Sequence, residues 1–206
     1  MLVNVAHLAK SFGNKDLYED LQFTIEEGEK VGVVGRNGLG KSSLLRILDG
    51  EDKDYRGTVE IRKGTRIIMT RQEHHDVHHM TLIEYILADV PDFSDMERIL
   101  FEYEQFGEEK VSLEAYCDTV NSFSERGFYE LRSKVVQSLK NFQIGEDRQS
   151  LHLEKLSGGE KRFVEMVRIM YAEVDLALID EPTNHMDYVG KEQFITWLNQ
   201  SKETMI

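Results

Sequence analysis

The sequence predicts an α/β fold in which a helical segment interrupts one core, and three observations predict it. Apolar residues near the start alternate with polar ones or run unbroken, as in strands. Through the middle they recur every three to four residues, as in helices. Acidic charge also changes along the chain: residues 1–71 carry 12 basic and 11 acidic side chains, residues 72–155 carry 8 and 18, and residues 156–206 carry 5 and 9. The middle block thus holds a net −10 of the chain's −13, which marks it as a subdomain set between two halves of one core.

In chain order, Leu21, Phe23 and Ile25 alternate with polar neighbours and predict a strand. Glu27-Gly28 turns the chain into Val31-Gly32-Val33-Val34, whose unbroken apolar character predicts a buried strand over 30–34. An apolar helix is expected over Leu44 to Leu48 and a strand over Thr65 to Thr70. Thr81-Leu82-Ile83-Glu84 has the form of a capping box and predicts a helix start. Met96, Ile99, Leu100 and Tyr103 define one helical face, and Phe128, Leu131, Val135, Leu139 and Phe142 another. The last block predicts a helix from about Glu160, a strand at Leu176 to Ile179 and a helix around Phe194 to Leu198.

Composition excludes several classes. With 206 residues, 40% of them hydrophobic, the chain has the size and apolar content of one folded domain, not of a disordered segment. Its negative charge disfavours nonspecific nucleic-acid binding through bulk positive potential. The single cysteine, Cys117, allows no internal disulfide, fits a reducing compartment and reads as a small helical hydrophobe. No stretch of about 18 apolar residues is present, and Met1-Leu2-Val3-Asn4 opens no secretory signal, so a cytoplasmic location is expected.

After the run at 30–34 comes Gly35-Arg36-Asn37-Gly38-Leu39-Gly40-Lys41-Ser42, a complete G-x-x-x-x-G-K-[ST] loop. In such a loop the glycines let successive amides point into one hollow, and the following helix presents its positive end. Lys41 is then placed for terminal phosphates and Ser42 for Mg²⁺. Downstream, Leu176-Ala177-Leu178-Ile179 runs into Asp180-Glu181, at the strand edge where open α/β sheets bind ligands. Asp180 can address a Mg²⁺ shell, while Glu181, at the bend before Pro182, can hold a water for attack on a γ-phosphate. Read alone, the two acids fit better as the acidic start of the next helix, and it is the phosphate loop upstream that makes them a site.

Leu156-Ser157-Gly158-Gly159-Glu160 stands 121 residues after Gly35, and with it the chain resembles an ABC-type ATPase, whose signature is Leu-Ser-Gly-Gly-Glu. The resemblance covers essentially the whole chain. It implies a P-loop domain with a RecA-like core, an antiparallel β subdomain and an inserted helical subdomain. The boundaries would be 1–71 for the β subdomain and phosphate loop, 72–155 for the helical insertion, and 156–206 for the signature helix, the acidic strand and the loop around Asp187. Glu181-Pro182-Thr183-Asn184-His185-Met186-Asp187 is similar to the pattern of the ABC-F class, soluble twin-domain ATPases that act at the ribosome; Met186 replaces the usual Leu.

Further residues follow from the resemblance. Phe12 sits where the family stacks an aromatic on adenine, although a core phenylalanine is the alternative. Gln72 sits where the family has a glutamine that senses Mg²⁺ and water. Ser43 follows the loop, and Ser157, Gly158 and Gly159 present an anion site that in the family faces the γ-phosphate held by a second domain. The expected cofactors are ATP and Mg²⁺, and the expected partners a second ABC domain and the ribosome, with no insertion into a membrane. The family's switch histidine is not reached before Ile206, which predicts a fragment that binds Mg-ATP and turns it over very slowly. A translation factor, an antibiotic-resistance factor and a transporter subunit remain open readings. A long coiled coil of the chromosome-ATPase kind is disfavoured, because residues 72–155 show no sustained heptads. His74, His75, His78 and His79 read as an exposed connector before a zinc site, and Glu102, Glu104, Glu108, Glu109 and Glu114 as a solvated face, with a basic partner as the alternative.

Overall fold

The computed structural model describes residues 1–13, 15–70, 80–149, 151–184 and 186–206, with the backbone alone for Glu146 and Gln149. The chain folds as two units: Met1–Glu73 with Val174–Asn184 and Phe194–Ile206, and His74–Glu173 with His185–Gln193.

The first unit holds two small sheets. β1 (Val3–Phe12) and β2 (Lys15–Ile25) form an antiparallel hairpin that pairs Val3 with Ile25 and Phe12 with Lys15. β3 (Arg56–Ile61) joins the other edge of β1, giving the order β2-β1-β3. Gly57 lies at φ +97° with a notional Cβ 2.2 Å from the His7 carbonyl oxygen, so only glycine lets β3 approach β1 beside its register shift. The second sheet is parallel, with β4 (Ile67–Met69), β5 (Leu176–Leu178) and β6 (Thr204–Met205) in the order β4-β5-β6. Against these strands α1 (Lys41–Asp49) buries Leu44, Leu45, Ile47 and Leu48. Their i, i+1, i+3, i+4 spacing makes one apolar stripe, and each such side chain contributes about 1.5–3 kcal/mol through burial.

The strand expected over 30–34 does not form. Val31 N donates to Met205 O at 2.8 Å and Met205 N donates to Glu29 O at 2.9 Å, leaving a single parallel bridge at Lys30. Pairing with β6 goes no further, and Val34 is 97% exposed. Apolar character without a hydrogen-bonding neighbour does not make a strand.

The second unit is helical: α2 (Leu82–Leu87), α3 (Phe93–Phe106), α4 (Leu113–Glu125), α5 (Leu131–Asn141), the short α6 (Glu146–Gln149) and α7 (Gly158–Tyr171). α8 (Tyr188–Gln200) gives its first turns to this unit and the remainder to the first. The capping box forms as expected, with Glu84 N donating to Thr81 Oγ1 at 3.4 Å and Thr81 N to Glu84 Oε2 at 2.9 Å. The Thr81 amide and hydroxyl, both donating to Glu84 Oε2, hold the Glu84 carboxyl below its ordinary pKa. Leu82, Ile86, Val135, Leu139, Val164 and Val167 form the core with the ring cluster Phe93, Phe123 and Phe128, whose centroids lie 5.2–5.6 Å apart. Within it lies a buried polar knot. Tyr85 Oη donates to Glu165 Oε1 at 2.6 Å, and Arg168 reaches Glu165 at 3.1 Å, Tyr85 at 2.9 Å and Asp89 at 3.3 Å. Cys117 lies on helix α4, as expected, with its side chain exposed. Glu104, Glu108, Glu109 and Glu114 are exposed, as a solvated face requires, whereas Glu102 is half-buried with Arg98 3.8 Å from its carboxylate.

Candidate functional site

The first unit gathers most of the residues singled out in the sequence. The loop from Gly35 leads into α1, whose first residue is Lys41 and whose N-cap is Gly40 at φ +89°. A Cβ on Gly40 would stand 3.0 Å from Leu17 Cδ1 and 3.1 Å from Tyr18 Cε1, so β2 packs against the loop at a point that admits only hydrogen. Lys41 folds back over its own loop, its Nζ donating to the carbonyl oxygens of Gly35 at 3.0 Å and Arg36 at 3.3 Å. Leu39 N donates to Arg36 O at 3.4 Å and Leu44 N to Gly40 O at 2.9 Å, closing the loop onto the helix.

An open cleft of about 340 Å³ adjoins this loop. Asn37, Gly38, Gly40, Lys41, Ser42 and Ser43 form one wall, Phe12, Lys15 and Leu17 of the hairpin form another, and Glu181 closes it. Phe12 is 78% exposed, which removes its reading as a core residue and leaves a ring at the mouth of the cleft. The cleft therefore combines an aromatic face, a row of loop amides, an ammonium and the N-terminal end of a nine-residue helix, a set of groups suited to an aromatic anion. Lys15 and Leu17 carry no motif and were not expected here. The signal that could have found them is their position three to five residues beyond Phe12, with Lys15 facing Phe12 across the hairpin.

Asp180 and Glu181 leave the end of β5. Thr70 N donates to Leu178 O at 2.8 Å, and Asp180 N donates to Thr70 Oγ1 at 3.0 Å, so Thr70 fixes where the acidic pair begins. Asp180 is 3% exposed. Glu181 adopts φ +49°, and Asn184 Nδ2 donates to its Oε2 at 2.5 Å. Asp180, Glu181 and Lys41 also line a second, mostly apolar cavity of about 320 Å³ with Val31, Ile179 and Leu198. Ser42 and Asp180 offer hard oxygen donors of the kind Mg²⁺ takes. Gln72, the four histidines at 74, 75, 78 and 79, and His185 lie outside the described residues. Among the described residues no cluster of three or more His, Cys, Asp or Glu could hold a metal, and no helix is long and apolar enough to cross a membrane.

The second unit carries the Leu156–Glu160 stretch. Ser157 is the N-cap of α7 in a complete capping box: Glu160 N donates to Ser157 Oγ at 3.3 Å, and Ser157 N and Oγ donate to Glu160 Oε2 at 2.8 and 2.7 Å. Arg148 Nε lies 2.8 Å from the same carboxylate. Helical geometry leaves the amides of Gly158 and Gly159 with no acceptor in their own helix, directed outward from an exposed end. A cleft of about 310 Å³ adjoins them, lined by Phe142, Phe163, Met186, Asp187 and Gly190.

Known proteins agree with this arrangement. The family model described as ABC transporter matches residues 18–184. The ABC transporter ATP-binding protein YkpA of Bacillus subtilis is 27% identical over 97% of this chain and 36% of its own length. The energy-dependent translational throttle protein EttA of Mycobacterium tuberculosis is 28% identical over 93% and 34%, and ABC transporter F family member 5 of Arabidopsis thaliana 27% over 100% and 25%. The chain thus spans about a third of the length of the curated relatives it matches. Among solved structures, the ATP-binding cassette MJ0796, a dimer in a post-hydrolysis state bound to ADP and Pi, superposes with a TM-score of 0.67 at 21% identity over 99% of this chain and 86% of that one. A nucleotide-free cassette from an ABC transporter gives 0.63 at 17% over 100% and 80%. A phosphate-type loop, an acidic strand end and a signature helix on this fold, matched over four fifths of the chain by one family model, establish that the chain belongs to the ABC transporter family and is an ATP-binding ABC ATPase domain.

Proposed function

We propose that the domain belongs to an ABC-F protein, in which closure of two ABC domains on ATP drives action on the ribosome. The observation that carries this reading is the stretch Glu181-Pro182-Thr183-Asn184-His185-Met186-Asp187, supported by likeness to a translational throttle protein and to an F family member. The fold similarity to transporter cassettes is common to all ABC domains and does not favour transport over it.

In the proposed site Phe12 stacks on the adenine, and the loop formed by Gly35, Arg36, Asn37, Gly38, Leu39 and Gly40, with Lys41, Ser42 and Ser43, holds the phosphates. Ser42, Asp180 and Gln72 hold Mg²⁺, which when bound neutralises charge on the transferred phosphoryl group. Glu181, turned by its positive φ and held by Asn184, orients the attacking water and takes its proton, and Gln72 is proposed as a further catalytic residue. Ser157, Gly158 and Gly159 face the γ-phosphate of the ATP held by a second ABC domain, so neither ATP is enclosed by one domain alone.

The test is the full-length protein with Glu181→Gln. Loss of a general base lowers turnover about 10²–10⁴-fold, and the variant should then co-sediment with ribosomes in ATP and leave them without it. Normal ATP-driven closure with no ribosome binding would sink the ABC-F reading and point to a transporter subunit.

A further inference from the structure

We infer that Lys15 is a second cation for the phosphate tail of the nucleotide, one that no motif in the sequence marks; the inference rests on the ATP site proposed above.

The hairpin places it there. Lys15 pairs with Phe12 across the turn between β1 and β2, so one hairpin end carries both an exposed ring and an ammonium, and both line the cleft. Its Nζ donates to the Gly38 carbonyl oxygen at 3.1 Å, within the loop. Lys41, the motif lysine, makes the same kind of contact from the other side, to Gly35 and Arg36. Two ammonium groups therefore rest on neutral carbonyls of a single loop. The packing of Leu17 and Tyr18 against Gly40 fixes β2 to that loop, and with it the distance from the stem of Lys15 to the phosphate hollow.

Among the described residues no carboxylate lies within ion-pairing distance of the Lys15 ammonium, whereas Lys10 on the same hairpin is paired with Asp52 and Asp54. An unneutralised cation at the rim of an anion cleft gains more from a phosphate oxygen than from a carbonyl, because a phosphate adds the attraction of a full opposite charge to a bond in which otherwise only the donor is charged. The attraction grows with the charge of the tail, so it favours ATP over ADP and ADP over AMP.

The competing account makes Lys15 a brace for Gly38, and the full-length protein can separate the two. Binding of fluorescent ATP, ADP and AMP analogues with Mg²⁺ would be titrated for Lys15→Met, Lys15→Gln and Lys15→Arg, with far-UV circular dichroism and melting to confirm folding. Hydrogen bonds to charged groups predict about a tenfold loss of ATP affinity for Lys15→Met, a smaller loss for ADP and none for AMP. Lys15→Gln, which can still donate to the Gly38 carbonyl, should be as weak as Lys15→Met, and Lys15→Arg should recover most of the affinity. Equal losses for all three nucleotides, a Lys15→Gln variant that binds ATP normally, or unchanged affinity in Lys15→Met would overturn the inference. Failure of the unchanged protein to bind ATP, or indifference to Lys41→Ala, would instead overturn the ATP site and this inference with it.

Discussion

Gly40→Ala tests how tightly the phosphate loop is built. The backbone at φ +89° lies in the left-handed region, where a Cβ costs roughly 1–2 kcal/mol. The new methyl would also stand 3.0–3.1 Å from Leu17 and Tyr18, contacts that force β2 or the loop to move and cost about 1–3 kcal/mol. Against this, alanine restricts the unfolded chain and returns about 0.4–1 kcal/mol. The net loss is then about 2–4 kcal/mol. Trp197 is the chain's single tryptophan, is buried and lies in the same unit as the loop, so its fluorescence during urea unfolding reports the change. A midpoint unchanged from the parent, with an unchanged slope, would refute the claim that β2 and the loop are in rigid contact.

Three further outcomes follow from the same reasoning. Glu165→Ala removes one partner of a pair in which Glu165 and Arg168 are each 1% exposed, leaving a buried guanidinium without its nearest carboxylate; a loss of about 3–5 kcal/mol is expected by circular dichroism, and Glu165→Gln should lose less. The hydrogen bond from Lys10 holds the Asp52 carboxyl below its usual range, so its contribution is present at neutral pH and fades as pH falls below about 4 through the depressed folded value. Asp52→Asn should therefore show a smaller drop in urea midpoint between pH 7 and pH 3 than the parent. Phe12→Ala should weaken binding of ATP and of adenosine by a similar factor, because stacking reads the base and not the phosphates, and a loss confined to ATP would argue against stacking.

Much of the fold was legible because its signals are local. The capping box at Thr81 needs four residues, and the stripe Leu44, Leu45, Ile47 and Leu48 needs one helix. The loop at 35–42 was legible for the same reason. Residues 30–34 were misread because a strand needs a hydrogen-bonding neighbour along its length, and apolar character alone does not supply one. Lys15, Leu17 and Thr70 escaped because their parts in the site come from pairing across a hairpin and a sheet, at no fixed distance from any motif. Exposure of Phe12 and Cys117 depends on which face of β1 and α4 is covered, which the sequence does not specify at the end of an element.

Glu181 occupies a backbone well that suits glycine, at φ +49°, where a residue with a side chain stores about 1–3 kcal/mol. Glycine would sit there without strain, and would also abolish the carboxylate on which the proposed hydrolysis depends. Variants selected only for folding would thus drift toward losing the acid, and stabilised versions of this domain obtained without an activity screen should be enriched in chains that bind ATP and do not cleave it.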